Sequence, residues 1–282
     1  MQAEVSNAVD SRRRRRSNPF RALTRVVYIL GVTLYLLTLL GLRSRGRSIQ
    51  ARKEEALALF QRWADAICSA LDIKRDFRGA LPPRGCCVTP NHQSYLDILL
   101  LASTTAPLVF VAKAEIASWP GIGFLTRITD QIFIERSRSR QMLQSLHEVE
   151  ERLKRGYRVC IFLEGTTSGG DRVHRFYPSM LDPVAAAGAP VVPAAIRWSS
   201  PDPGIVVSED IAYWKDHNFI LHAWRLLGLR GIQAEVAFGA ARPSDGGQRR
   251  DLARELHAEV QRMFEDLGAD RDEPQAQNGE PT

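Results

Sequence analysis

The 282-residue chain has only four cysteines, and none of them belongs to a C-x-x-C pair. Cys86 and Cys87 are adjacent and Cys160 lies within an apolar run, so no disulfide framework and no metal site is expected. Reduced, buried thiols in a cytosol-facing protein fit this usage. There is no internal repeat, no RNA-binding signature and no basic surface interleaved with aromatics, so no nucleic-acid partner is expected. No Ser or Cys nucleophile elbow occurs either. Acidic residues are scarce at one end. Residues 1–53 carry 12 Lys/Arg against two acids, a local charge of +10, while the remainder holds 26 basic and 30 acidic residues, or −4. The net charge of +6 is therefore confined to one end, beside the most hydrophobic segment. That placement favours anionic lipid over a nucleic-acid groove.

An apolar fraction of 44% supports a sizeable core. Val26 to Leu42 is 17 residues without a charge, flanked by Arg25 and Arg43. Its length is at the lower limit of the ~17–25 residues that cross a bilayer. No small-residue cleavage site follows, as a secretory signal would require. Instead Arg43, Arg45, Arg47, Arg52 and Lys53 come next. In Glu54–Leu71, Leu57, Phe60, Ala64, Ile67 and Leu71 recur at helical spacing between charges. Two membrane placements fit this pair, a single span or an apolar and an amphipathic helix entering one leaflet, beside the alternative of a buried helix in a soluble protein. In both membrane placements, the arginine clusters face anionic headgroups on the cytoplasmic side, the inner membrane in a bacterium.

Beyond Asp72, short apolar runs alternate with helical patterns. Strands are expected at Cys86–Thr89, Leu108–Ala112, Gln131–Ile134, Arg158–Leu163, Val191–Arg197 and Ile232–Phe238. The clearest helix is Ser139–Arg155, with Met142, Leu143, Leu146, Val149 and Leu153 as its apolar stripe and Gly156 as its stop. The fold class is α/β, a largely parallel central sheet flanked by helices, with an N-terminal membrane-anchoring helical segment. The expected organisation is a basic tail (1–25), a membrane-associating segment (26–72), one domain (73–267) and a polar, disordered tail (268–282). Chemistry in such sheets collects where strands run into helices.

Four stretches carry candidate chemistry. In TPNHQSYLDILLL (89–101), His92 and Asp97 are five apart. On one continuous helix they would diverge by about 140°. They meet only if His92 sits in a loop and Asp97 in the first helical turn, which Pro90 and the caps Asn91 and Ser94 permit. A carboxylate on one imidazole nitrogen makes the other a better base; the alternative is a histidine that caps the helix. FLEGTTSGG (162–170) brings Glu164, Gly165, Thr166 and Thr167 to the end of an apolar strand, either as a plain turn or as a ligand-approaching loop. QIFIERS (131–137) places Arg136 at another strand end, suited to a phosphate or carboxylate. Pro193 in VVPAAIR (191–197) points to a bulge or edge.

Together, in this order and spacing, these stretches resemble the glycerolipid acyltransferase superfamily typified by 1-acyl-glycerol-3-phosphate acyltransferase. Asn91, His92 and Asp97 match its Asn-His-x4-Asp block, and Phe133, Ile134 and Arg136 its second. Lys113, Glu115, Pro120 and Gly123 suit the lead-in to that second block. Phe162, Glu164, Gly165 and Thr166 match Phe-Pro-Glu-Gly-Thr, with Leu163 in place of proline. Val192 and Pro193 match the fourth block. The resemblance covers roughly residues 84–238. It departs at Thr167, where the family often has an arginine for the acceptor phosphate, and at Tyr177, where a lysine is usual. The Glu-Gly-Thr-Thr-Ser variant resembles branches that acylate other lysolipids, including bacterial lyso-ornithine lipid; Arg136, Arg172 and Arg175 remain as alternative phosphate contacts.

The resemblance implies transfer of an acyl group from acyl carrier protein or a coenzyme A thioester to the hydroxyl of a lysolipid such as lysophosphatidic acid or lyso-ornithine lipid. His92 and Asp97 would be catalytic, with no cofactor or metal. Asn91, Arg136, Glu164, Gly165, Thr166 and Thr167 would bind substrate. Backbone amides near the end of the Asn91–Asp97 turn would hold the oxyanion. Membrane lipids are the expected partners, and Trp214–Leu229 is either a lipid-facing surface or a core helix. A hydrolase using water as acceptor and a non-catalytic lipid-binding relative are the rival readings.

Overall fold

The computed structural model describes residues 17–104, 108–115, 122–135, 139–215, 217–244 and 248–272. Arg136, Pro120 and most of the basic tail lie outside them. Two helices open the described chain, α1 (Pro19–Arg43) and α2 (Ile49–Ala70), joined by a turn with Gly46 at φ 71°. Asn18 caps α1 by accepting from the amides of Phe20 and Arg21, and Pro19 fits the first turn, where its missing N–H costs nothing. The helix is thus eight residues longer than the uncharged run, about 37 Å at 1.5 Å per residue. It is long and apolar enough to cross a membrane. Its outer face exposes Phe20, Leu23, Val27, Leu30, Leu34 and Tyr35. By contrast, α2 buries Leu57, Phe60, Ala64 and Ile67 in the domain, as its periodicity predicts. Trp63 Nε1 on α2 donates to Thr33 Oγ1 on α1 at 2.8 Å, which closes the hairpin.

The domain is a seven-stranded sheet: β1 (Lys74–Arg78), β2 (Cys87–Pro90), β3 (Leu108–Lys113), β4 (Ile132–Ile134), β5 (Arg158–Cys160), β6 (Val191–Ser199) and β7 (Gln233–Phe238). Their spatial order is β1-β7-β6-β2-β5-β3-β4, and every pair is parallel except β6–β7. All six expected strands are present. The edge strand β1 was not foreseen: its sequence KRDFR is mostly exposed and carries no apolar pattern, since only β7 pairs with it. Pro193 lies between the β6–β7 ladder, which starts at Ala194, and the isolated bridge of Val191 with Arg242, so its missing N–H falls at a break in that pairing.

Helices α3 (Leu96–Ala102), α4 (Ile122–Ile128), α5 (Ser139–Lys154), α6 (Asp182–Ala186), α7 (Phe219–Leu227) and α8 (Arg249–Asp272) follow in order. One face of the sheet packs on α2, α3 and α7, with Phe60, Leu100 and Leu226 in a single apolar cluster. The other packs on α5, α6 and α8, through Val149, Val184, Leu256 and Phe264. Within α5, Val149 and Leu153 are buried, but Leu143 is 68% exposed, so the expected stripe is narrower than it reads. Helix α8 runs five residues into the stretch read as tail. Gly268 there lies so close to Arg197 that a Cβ would meet the guanidinium carbon at 2.7 Å, and Arg197 Nη1 donates to Phe264 O. Residues 273–282 lie outside the described chain.

The described residues of Trp214–Leu229 are core on one side and exposed on the other. His222 and Leu226 of α7 are buried, while Ile220, Leu221 and Trp224 are exposed. The carboxyl end of α7 is clamped to the start of α1: Arg25 Nη1 donates to Leu227 O at 2.8 Å and Leu229 O at 2.6 Å, and Arg21 Nη1 to Gly228 O at 2.8 Å. Arg25→Ala leaves two carbonyls without their cationic donor, and stability should fall by about 1–3 kcal/mol. The check is the thermal midpoint in detergent together with hydrogen exchange of the α7 amides, which should quicken selectively; unchanged α7 exchange would show that the clamp holds nothing.

Candidate active site

Strand β2 ends at Pro90, and the next residue continues the sheet by side chain. Asn91 Oδ1 accepts from Ile196 N at 2.7 Å and its Nδ2 donates to Ile196 O at 3.0 Å, so the amide imitates a strand neighbour for β6. The chain then turns, and α3 begins at Leu96 with Asp97 in its first turn. Neither Asn91 nor Ser94 caps α3 by its side chain; Ser94 Oγ donates to Ile211 O instead. The carboxylate of Asp97 performs the turn's bonding in reverse. Its Oδ2 accepts from Gln93 N at 2.6 Å and Ser94 N at 2.9 Å, and it lies 2.8 Å from His92 Nδ1. Its Oδ1 accepts from Trp198 Nε1 at 2.6 Å. Asp97 is fully buried. An ionised carboxylate only accepts, so Nδ1 carries the imidazole proton and Nε2 is left with its lone pair. The imidazole lies flat on Phe162, with ring centroids 3.8 Å apart and planes 19° from parallel.

Phe162 follows β5, which leaves the ladder after Cys160, earlier than the apolar run suggests. That exit swings Glu164 beneath the His92 loop. Its Oε1 accepts from His92 N at 2.6 Å and its Oε2 from His174 N at 2.8 Å. Burial pushes the Glu164 carboxyl up to about 8, against the pull of those two amides. Gly165, at φ 66°, makes the turn that returns Thr166 and Thr167 to the surface.

These loops enclose a cavity of about 260 Å³ over the carboxyl ends of β2, β3, β4 and β5. His92, Phe162, Gly165, Thr166 and Thr167 line one part; Val111, Ile134, Ile161 and Met180 give it an apolar wall. Lys113, the last residue of β3, and Glu115, just beyond it, add one charge of each sign. Tyr95 and Tyr213 form the side toward α7, where the Tyr95 hydroxyl lies 3.1 Å from His222 Nδ1. Burial and the neighbouring His217 push His222 down to about 4, so it is neutral at pH 7. An oriented imidazole with a free nitrogen, facing an apolar cavity with a polar rim, is equipped to deprotonate a hydroxyl.

A family model for acyltransferases matches residues 74–197, the stretch from β1 into β6. A lyso-ornithine lipid O-acyltransferase of Pseudomonas aeruginosa is 32% identical over 199 residues, covering 70% of this chain and 75% of that protein. A 1-acyl-sn-glycerol-3-phosphate acyltransferase of Neisseria gonorrhoeae is 30% identical over 198 residues, covering 70% and 72%. The chain belongs to the acyltransferase family. The crystal structure of the 1-acyl-sn-glycerophosphate acyltransferase PlsC from Thermotoga maritima shares the fold, with a TM-score of 0.67 at 22% identity over 89% of this chain and 97% of that one.

Of the residues expected at the acyltransferase site, His92, Gly165, Thr166 and Thr167 line the cavity. Asn91, Asp97 and Glu164 stand behind it as supports, with their polar atoms spent on the protein. The amides of His92, Gln93 and Ser94 are likewise committed to Glu164 and Asp97, which removes them as oxyanion donors. Arg175 lies outside this cavity, against α8. Trp198, Tyr95 and Tyr213 escape any sequence reading, because no local spacing ties them to His92. Lys113 had a signal in its block, though none for where it points.

Glu164 gives this acyltransferase a pH-dependent strut. Its folded value of about 8 stands above the ~4.3 of an unfolded glutamate, so the native state keeps a proton that the unfolded state loses between those values. That contribution to stability falls as pH rises from about 4.3 to about 8 and is then flat. Glu164→Gln should flatten the slope and, because an amide oxygen replaces only one of two acceptors, cost about 1–3 kcal/mol. Thermal midpoints at pH 5 and pH 8 test this; the same pH difference in variant and wild type would assign the slope to another group.

Proposed function

We propose that this acyltransferase moves a fatty acyl group from a thioester to the hydroxyl of a membrane-resident lysolipid. The observation that carries the reading is the 2.8 Å pairing of His92 Nδ1 with a buried Asp97 at the mouth of an apolar cavity. His92 Nε2 takes the proton of the acceptor hydroxyl as its oxygen attacks the thioester carbonyl. The tetrahedral intermediate collapses with cleavage of the C–S bond, and the departing thiolate recovers the proton from the imidazolium. The amides of Thr166 and Thr167 make no hydrogen bond within the protein among the described residues, and they border the cavity, so they are the donors proposed for the oxyanion. The residues of this cavity do the chemistry with no cofactor, the donor being acyl carrier protein or coenzyme A thioester.

The exposed apolar face of α1 supports membrane association, and its geometry favours one leaflet over a span. Both ends of the helix are tied to the domain, at α7 through Asn18, Arg21 and Arg25 and at α2 through the Arg43–Glu55 ion pair. A spanning helix would carry one end away from it. The arginines of residues 43–52 then meet anionic headgroups at the cytoplasmic face.

Two observations favour a zwitterionic acceptor such as lyso-ornithine lipid over a phosphomonoester. Thr167 lines the cavity at the position where arginine is usual in the family. Lys113 and Glu115 offer one cation and one carboxylate, a match for a headgroup that bears both charges.

His92→Ala should lower transfer by at least about 10²–10⁴-fold while leaving membrane association intact. Asp97→Asn should lower it less, since the imidazole keeps its place beside a poorer acceptor. Substantial turnover by His92→Ala, purified and given thioester and lysolipid, would sink the general-base role. A panel of lysolipids offered with both donors, products weighed by mass spectrometry, tests the acceptor: clear preference for lysophosphatidic acid would overturn the zwitterionic reading, and thioester hydrolysis without lysolipid would make the protein a hydrolase.

A further inference from the structure

A second cavity, of about 520 Å³, lies on the α8 side of the sheet, away from α1. Its polar walls are Arg175, Arg250, Arg254, His257 and Asp251, and Phe176 contributes an aromatic side. The balance is strongly basic. Arg254 is paired with Asp251, but Arg175 and Arg250 make no ion pair among the described residues. The first turn of the 24-residue helix α8 contributes further positive potential.

The cavity is built rather than incidental. Both backbone groups of Val173 are held by α8, its N–H donating to Gln261 Oε1 at 3.1 Å and its carbonyl 3.3 Å from His257 Nε2. The Phe176 ring meets His257 edge-on at 5.4 Å. The same loop is wired to the catalytic one, because Glu164 accepts from His174 N and from His92 N. Arg175 is the next residue. The short turn Pro178–Leu181 separates the two cavities, with Pro178 lining the basic one and Met180 the catalytic one.

We propose that this basic cavity holds the phosphate-bearing handle of the acyl thioester donor, with the acyl end passing the Met180 turn toward His92. The inference rests on the thioester reading given above. A lysolipid reaches His92 from the side of α1 and α7, whose apolar residues face outward. A water-borne donor must come from another side, and both forms of donor carry a pantetheine phosphate. Arginine forks are suited to that group.

The test is the double variant Arg175→Ala/Arg250→Ala, whose side chains are exposed and outside the catalytic cavity, with Arg175→Lys/Arg250→Lys as the rescue. With palmitoyl-coenzyme A and palmitoyl-acyl carrier protein, donor KM should rise on the order of 10–100-fold for loss of two charge-assisted contacts. The kcat and the lysolipid KM should stay near wild type, and the lysine pair should recover part of the loss. A rise with both donors, or with coenzyme A alone, supports the site, the second locating the contact at the nucleotide phosphates. Unchanged donor KM overturns it. So does a rise confined to the carrier protein, which would make the patch a protein-docking face, or a loss of binding to phosphatidylglycerol vesicles with donor KM intact. If wild type transfers from neither donor, the thioester reading has failed instead. Calorimetric titration of coenzyme A then decides the cavity alone: weaker binding to the alanine pair supports it, and equal binding overturns it.

Discussion

Everything at the centre of this protein is organised by the buried carboxylate of Asp97. Two backbone amides, one indole and one imidazole converge on its two oxygens. A charge with no access to water is tolerable only when such donors replace its hydration. The amides of Gln93 and Ser94 fix the turn, Trp198 ties it to β6, and the remaining interaction sets the tautomer of His92. Local folding and chemical competence are thus one arrangement.

Glu164 plays a parallel part from the neighbouring strand end. By accepting from His92 N and His174 N, it joins the loops after β2 and β5 to the segment that leads toward α8. The side chain that the sequence presents as a binding group is therefore spent on the protein. What faces the cavity is the turn it anchors, Gly165 to Thr167. The sheet order puts β2 beside β5, which is why motifs separated by about seventy residues share one rim.

The molecule presents two unlike surfaces. Helix α1 and the outer residues of α7 present an apolar face on one side, and the arginines beside α8 present a polar one on the other. The cavity beside His92 opens at the strand ends between these layers, with Tyr95 and Tyr213 toward one and Met180 toward the other. That disposition suits the proposed transfer of an acyl group from a thioester donor to a lysolipid.

The sequence by itself determined the α/β class, six of the seven described strands and the apolar first helix, and it permitted the pairing of His92 with Asp97. Each of these is a local matter: an apolar period, a capping residue, or a spacing that a proline makes possible. Only the tertiary structure decided that Asn91 and Glu164 are supports, that Trp198 completes the Asp97 site, and that Arg175 belongs to a second cavity beside α8. Those roles depend on partners about 70 to 105 residues away in the chain, brought near by sheet order and helix docking. The charged edge strand β1 and the run of α8 through Gly268 to Asp272 were hidden for the same reason. Neither carries an apolar pattern of its own, and each is held by a partner that is distant in sequence, β7 for the one and Arg197 of β6 for the other.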